Sequence, residues 1–217
     1  LLERYQYDID LHRIVIREHT NRGQGTKICF DEWGAWHPEA SFENNQNQIQ
    51  TMRDGIFAAL ALHIFYKNSD IVEFAMETQI SNLLQSLFET DGEKFFKTPT
   101  FHVMKLFREH TGQYLLHTLP DDIDENLDAV STISPDELKL TISIVNRHLY
   151  EEKDIGIAFS ADGYRAVKAD IVTCKDVRSF NTFENPDTIC MKPFRLADPD
   201  KITVPSHSVL RICYEKK

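Results

Sequence analysis

The sequence predicts an α/β unit followed by an all-β unit, and three observations carry that reading. Up to about Thr111, apolar patterns of helical period alternate with short apolar runs, in the order helix, strand, helix, strand, helix. Beyond Thr118 the period falls to two: Leu138, Leu140, Ile142 and Ile144 alternate, as do Leu210, Ile212 and Tyr214. Turn chemistry separates these runs, at Pro120-Asp121-Asp122 and Ser134-Pro135-Asp136. The third observation is a shortage of strands. Two parallel strands cannot close a barrel, and left open they expose long edges. The first unit therefore reads as the tail of a longer β/α repeat, and the second as an antiparallel β-sandwich. The boundary falls between Thr111 and Leu119, giving units 1–115 and 116–217.

Taken in order, Leu1 to Thr20 reads as a helix whose apolar side holds Leu2, Tyr5, Ile9, Leu11, Ile14, Val15 and Ile16. A breaker loop, Asn21 to Gly25, precedes a short buried strand at Lys27-Ile28-Cys29-Phe30, with Cys29 as a small apolar filler. A polar tract rich in Asn and Gln, Asn44 to Gln50, leads to a helix marked by Ile49, Met52, Ile56, Leu60 and Ile64. Asp70 to Met76 is a second strand. A third helix is expected near Ile80 to Phe88, with Leu83, Leu84 and Leu87 inward, and Thr100 as the cap of a fourth that ends near Gly112. In the second unit Cys213, on an alternating strand, is expected to be another apolar filler.

Composition narrows the function classes. A net charge of -10 and a pI near 5.3 argue against nucleic acid or an anionic membrane surface as partner. No apolar run approaches the roughly 20 residues needed to span a bilayer. The four cysteines lack CxxC spacing and are expected reduced. Nine histidines form no HExxH or paired spacing, so no metal site is expected, and without GxGxxG or a P-loop no organic cofactor is implied. Asp121-Asp122-Ile123-Asp124-Glu125 fails the pattern of a calcium loop and reads as a solvated acidic turn. The lack of Asn-x-Ser/Thr sequons leads us to expect a cytoplasmic or bacterial setting, and because the chain starts in mid-element without a signal peptide, secretion stays open as the alternative.

Phe30-Asp31-Glu32-Trp33-Gly34-Ala35-Trp36-His37 is the most informative stretch. An acid at the carboxyl end of a parallel strand lies where barrel enzymes keep their chemistry, and an indole beside it can hold the apolar face of a sugar. The bland alternative for Glu32 is a surface carboxylate paired with an Arg or Lys. Asp31, on the opposite face of the strand, reads as structural and is expected to pair with a neighbouring strand. Trp36 reads as a stacking residue or as plain packing, Trp33 as a wall residue, and His37 as a solvated loop residue. Gln79 alone would be a cap or surface residue.

The Asp-Glu-Trp-x-x-Trp pattern at Asp31–Trp36 resembles the nucleophile motif of the α-L-arabinofuranosidases of glycoside hydrolase family 51. Thr78-Gln79-Ile80-Ser81-Asn82 resembles the Ala-Gln-Leu-Val-Asn segment after that family's last barrel strand. Ser179-Phe180-Asn181-Thr182-Phe183-Glu184-Asn185-Pro186-Asp187 resembles a loop of its C-terminal β domain. Gly34-Ala35 departs from the more usual Asn-Val. The resemblance implies the last two β/α units of a (β/α)8 TIM barrel followed by a jelly-roll-like β-sandwich. It also implies a retaining, exo-acting enzyme with Glu32 as nucleophile, releasing arabinose from arabinoxylan or arabinan fragments. Gln79 would reach a sugar hydroxyl, Trp36 would contact substrate, and Asn82 would brace its loop. Its acid/base follows an Asn on the fourth strand, and no Asn-Glu dipeptide occurs here. Glu77 ends the other strand, but the acid/base comes from a more distant one. The chain alone is thus expected to be inert, with the missing N-terminal part of the barrel as its partner. Self-association into a homo-oligomer is also expected. Alternatives are an endo-glucanase or xylosidase on the same barrel, and a non-catalytic carbohydrate-binding or assembly module.

Overall fold

The computed structural model describes residues 1–20, 25–118, 124–198 and 201–217. Helix α1 (Leu2–His19) leads to strand β1 (Ile28–Trp33), helix α2 (Met52–Lys67) and strand β2 (Val72–Glu77). The two strands pair in parallel, with Ile28 opposite Val72, Phe30 opposite Ala75 and Trp33 opposite Glu77, and they close no barrel. Ile28 and Phe30 pack toward the helices. Cys29, between them, lies on the open side of the pair and is exposed, contrary to its expected role as a buried filler. Of the apolar side expected on α1, Ile9 is fully buried and Leu2, Tyr5 and Ile16 partly so, whereas Leu11, Ile14 and Val15 remain exposed.

Helix α2 is buried nearly all round because it lies between this strand pair and a large sheet. Asp54 and Thr51 form its capping box, with the Thr51 N–H donating to Asp54 Oδ2 at 2.7 Å. Its next free amides are met from far along the chain: Met52 N–H reaches the Ser179 carbonyl at 3.1 Å and Arg53 N–H the Val177 carbonyl at 3.2 Å. Ile49, expected on this helix, precedes it and is exposed.

The helix expected near Ile80 to Phe88 does not form. Asn82 and Leu84 adopt left-handed φ values of 60° and 49°, and the Leu87 and Phe88 amides both turn back to the Ile80 carbonyl. The segment then enters a hairpin, β3 (Phe88–Asp91) and β4 (Lys94–Lys97), through Asp91-Gly92, with Gly92 at φ +59°. Asn82 braces it, as expected: its amide bonds Thr90 Oγ1 at 2.7 Å and accepts from the Thr90 N–H at 2.7 Å. Helix α3 (Pro99–Phe107) follows, and its cap is Thr98 rather than Thr100, with Thr98 Oγ1 accepting from the Phe101 N–H at 3.3 Å. Proline at the first helical position, where no donor is needed, sets that start. Thr100 is instead buried in a polar network.

The second part is a β-sandwich. Strands β5 (Tyr114–Leu116), β6 (Leu127–Ile133), β7 (Lys139–Asn146), β9 (Tyr164–Val172), β10 (Met191–Pro193) and β12 (Ser208–Lys216) form an antiparallel sheet ordered β10-β9-β12-β7-β6-β5. A smaller pair, β8 (Lys153–Ile155) and β11 (Ile202–Val204), closes over one face. There Leu140, Ile142, Ile144, Leu210, Ile212 and Tyr214 form a core, as the alternation predicts. Leu138 falls outside β7 and is exposed. Cys213 is only half-buried, which pushes its thiol up. The opposite face of the sheet packs on α2 and α3 through Val145, Val172 and Val209.

Two polar ties cross that second interface. His63 of α2 meets Asp128 through Nδ1 and lies 2.8 Å from Ser143 Oγ through Nε2. Arg211 is paired with Asp170, its opposite number on β9, and donates to the Leu106 carbonyl of α3 at 3.3 Å. The 179–187 loop adds a third link. Buried Asn181 donates to the Lys97 carbonyl at 2.8 Å and accepts from the Ile189 N–H at 2.7 Å, and Phe183 packs edge-on against Phe96. The expected turns at Asn21–Gly25 and Pro120–Glu125 fall largely on 21–24 and 119–123, outside the described residues.

Candidate active site

Glu32 is exposed at the carboxyl end of β1, next to buried Trp33, whose ring packs edge-on against Phe65 at 5.7 Å. Asp31, expected to pair with a neighbouring strand, is exposed. The ends of β1 and β2 are tied together, since the Trp33 carbonyl accepts from Thr78 Oγ1 at 2.8 Å and from its N–H at 3.3 Å. Gln79 is exposed two residues beyond Glu77, the partner of Trp33, so it lies at the same end of the pair as Glu32. Trp36 follows on the adjoining loop, its ring 60% exposed and its Nε1 donating to the Ala40 carbonyl at 3.3 Å. The fold thus brings all three expected residues to one end of the strand pair, with no hydrogen bond joining their side chains.

The loop carrying Trp36 is held from beneath by groups that sequence reasoning missed. Gly34 sits at φ +151°, where a side chain would be strained, and a Cβ there would lie 3.4 Å from Gln85 Cβ. Its N–H donates to Tyr5 Oη at 3.1 Å. Burial pushes the Tyr5 hydroxyl up, keeping it neutral. Gln85 Oε1 accepts from the Ala35 N–H at 2.5 Å, and Gln48 takes the His37 N–H at 3.0 Å while donating to the Ala35 carbonyl at 2.8 Å. His37 is no solvated loop residue: its Nε2 lies 2.6 Å from Oδ1 of Asp54, which is fully buried, with Arg53 Nη2 flanking the same nitrogen at 2.8 Å. A glutamine in a polar tract looks like a loop residue. Only the spacing of Gln48 and Gln50 just before an apolar helix hints at inward-facing amides.

Glu77, at the end of the other strand, is more buried than its position in the sequence suggests. Burial pushes its carboxyl up to about 8, one oxygen is buried without a partner, and the other accepts from the Gln79 N–H at 3.3 Å. Buried carboxyls without a cation beside them take the neutral form. Among the described residues no group of His, Cys, Asp and Glu is arranged to hold a metal.

This chain is similar to known proteins along nearly its whole length. The family model for the α-L-arabinofuranosidase C-terminal domain matches residues 31–208. An intracellular exo-α-L-arabinofuranosidase from Bacteroides ovatus is 25% identical over 94% of this chain and 43% of its own. Among solved structures, the α-L-arabinofuranosidase from Thermotoga maritima in an arabinose complex matches 97% of this chain and 48% of its own, with 25% identity and a TM-score of 0.82. The family 51 arabinofuranosidase from Xanthomonas axonopodis pv. citri superposes with a TM-score of 0.85 at 21% identity, over 97% of this chain and 45% of its own. The chain spans less than half the length of these relatives. With the family model covering residues 31–208, most of its length, the chain belongs to the α-L-arabinofuranosidase C-terminal domain family.

Proposed function

We propose that this chain supplies the nucleophile end of a retaining, exo-acting α-L-arabinofuranosidase, with Glu32 attacking the anomeric carbon. The observation that carries the reading is the place of Glu32: exposed, at the carboxyl end of a parallel strand, beside the Trp36 loop and the Gln79 turn. In such a reaction the carboxylate displaces the aglycone to form a glycosyl ester. A second carboxyl group first protonates the leaving oxygen and then activates the water that hydrolyses the ester. Gln79 has the donors and the acceptor to bind a sugar hydroxyl, and Trp36 offers an apolar face to the sugar. We assign the acid/base to residues outside this chain. Glu77 ends the strand paired directly with that of Glu32, and its one hydrogen-bonded oxygen is held by its own turn. The chain by itself is then inert, its partner is the N-terminal part of the same barrel, and the whole acts in the cytoplasm as a homo-oligomer on arabinose-containing oligosaccharides or polysaccharides.

Glu32→Gln in the full-length protein tests the assignment. The isostere keeps volume and removes nucleophilicity, so turnover of an aryl α-L-arabinofuranoside should fall by several orders of magnitude. Azide should restore part of it through an inverted glycosyl azide. Activity within about tenfold of wild type would refute the role.

A further inference from the structure

The loop between Gly34 and His37 presents one exposed ring on a backbone whose hydrogen bonds run inward. Ala35 is buried, and both its N–H and its carbonyl are bonded to buried side-chain amides, from Gln85 and Gln48 respectively. The His37 N–H goes to Gln48, and its ring goes to Asp54. Trp36, between them, faces outward with only its Nε1 tied. The amides are themselves held. Gln85 Nε2 donates to the Asp54 carbonyl at 2.9 Å and to Thr100 Oγ1 at 3.0 Å, and Thr100 in turn donates to Gln50 at 2.8 Å.

Buried amides are an expensive way to support a loop. Their desolvation must be met bond by bond, where apolar side chains of the same volume would pack without that demand. What they add is direction: a satisfied network admits one arrangement, whereas an apolar floor admits several. An indole on so closely determined a backbone is held in one orientation.

We propose that Gln85 and Gln48 are positioning residues that set the Trp36 ring as a stacking platform for the sugar unit beyond the one Glu32 attacks. The proposal rests on the arabinofuranosidase reading. Gln85 itself is fully buried and acts through the Ala35 amide, and Gln48 acts through Ala35 and His37. The platform favours oligosaccharides over aryl glycosides, because only the former place a second sugar over the indole.

The test uses the full-length enzyme and Gln85→Met, which keeps side-chain length and removes all three of its hydrogen bonds. Hydrogen exchange at the Ala35 amide should quicken at least about tenfold, because its acceptor is gone. KM for an arabino-oligosaccharide should rise five- to tenfold, with kcat falling by less, and KM for an aryl arabinofuranoside should change less than either. In a Trp36→Ala background the same substitution should raise KM no further, since both act on one platform. Unchanged exchange in the folded variant, or KM effects that multiply in the double variant, would overturn the proposal. A wild-type enzyme inert on both substrates, with exchange at Ala35 still responding, would overturn the functional reading and leave the clamp standing. If Gln85→Met does not fold, Gln48→Met applies the same criteria to the His37 amide.

Discussion

Replacing Arg211 by Met should cost more than any other single change in the sandwich. Arg211 is 1% exposed and its cross-strand partner Asp170 is 4% exposed, so removing the guanidinium strands a buried carboxylate and the Leu106 carbonyl together. Breaking a buried pair from one side costs roughly 3–5 kcal/mol, most of it the uncompensated charge. Here the lower end applies, because Lys168 Nζ lies 3.4 Å from Asp170 and can partly neutralise it. The contact to Glu109, at 3.5 Å and half exposed, adds little. With a urea dependence of about 2–3 kcal/mol/M, a loss of about 3 kcal/mol lowers the unfolding midpoint by roughly 1–1.5 M, read by far-ultraviolet circular dichroism. The double variant Arg211→Met/Asp170→Leu should recover most of it, since an apolar pair of similar volume removes both charges. A midpoint shift below about 0.3 M for Arg211→Met, or a double variant less stable than the single, would refute the reasoning.

Three further expectations concern pH and binding. Glu77, pushed up to about 8 from an ordinary 4.5, contributes stability that is fully present below pH 4.5 and lost as pH rises through 8, so Glu77→Gln should flatten the alkaline limb of a stability-against-pH curve. His110 and His102, held neutral by burial at about 3 and about 4, act in the opposite sense: their contribution is present above pH 6.5 and lost as pH falls toward those values, and His110→Phe should soften acid unfolding. Gln79→Ala in the full-length protein should lower kcat/KM by about 2- to 13-fold, the value of one neutral hydrogen bond of about 0.5–1.5 kcal/mol, with kcat falling more than KM rises. An unchanged kcat/KM would remove Gln79 from the site.

The two-part grammar and the place of Glu32 were legible because periodicity reports burial directly. Leu140, Ile142 and Ile144 all reached the core that their alternation implied. The failure at Ile80 to Phe88 has a local cause. Leu83, Leu84 and Leu87 mimic a helical face, but two left-handed residues and the Asp91-Gly92 turn redirect the chain, and Leu84 is buried through tertiary packing instead. Thr98 and Thr100 are equivalent as cap candidates until the first turn of α3 is placed, and proline at its start was the overlooked cue. The amides beneath Trp36 were illegible for a different reason. Residue type predicts that glutamine faces water, and only the accounting of buried donors shows why Gln48 and Gln85 do not.

The amides that start α2 carry a consequence for biosynthesis. Met52 and Arg53 wait for carbonyls at Ser179 and Val177, about 125 residues later in the chain. At roughly 5–20 residues per second, about 6–25 seconds separate the emergence of this helix from that of the strand-and-loop partners that cap it. Until β6 and β7 are made, the face of α2 that later meets the sheet has nothing from the sheet to cover it, and its first amides wait longer still. The nascent chain is then at its stickiest between the synthesis of α2 and that of its sheet partners, and the ribosome's pace over the β-strand region sets how long that lasts.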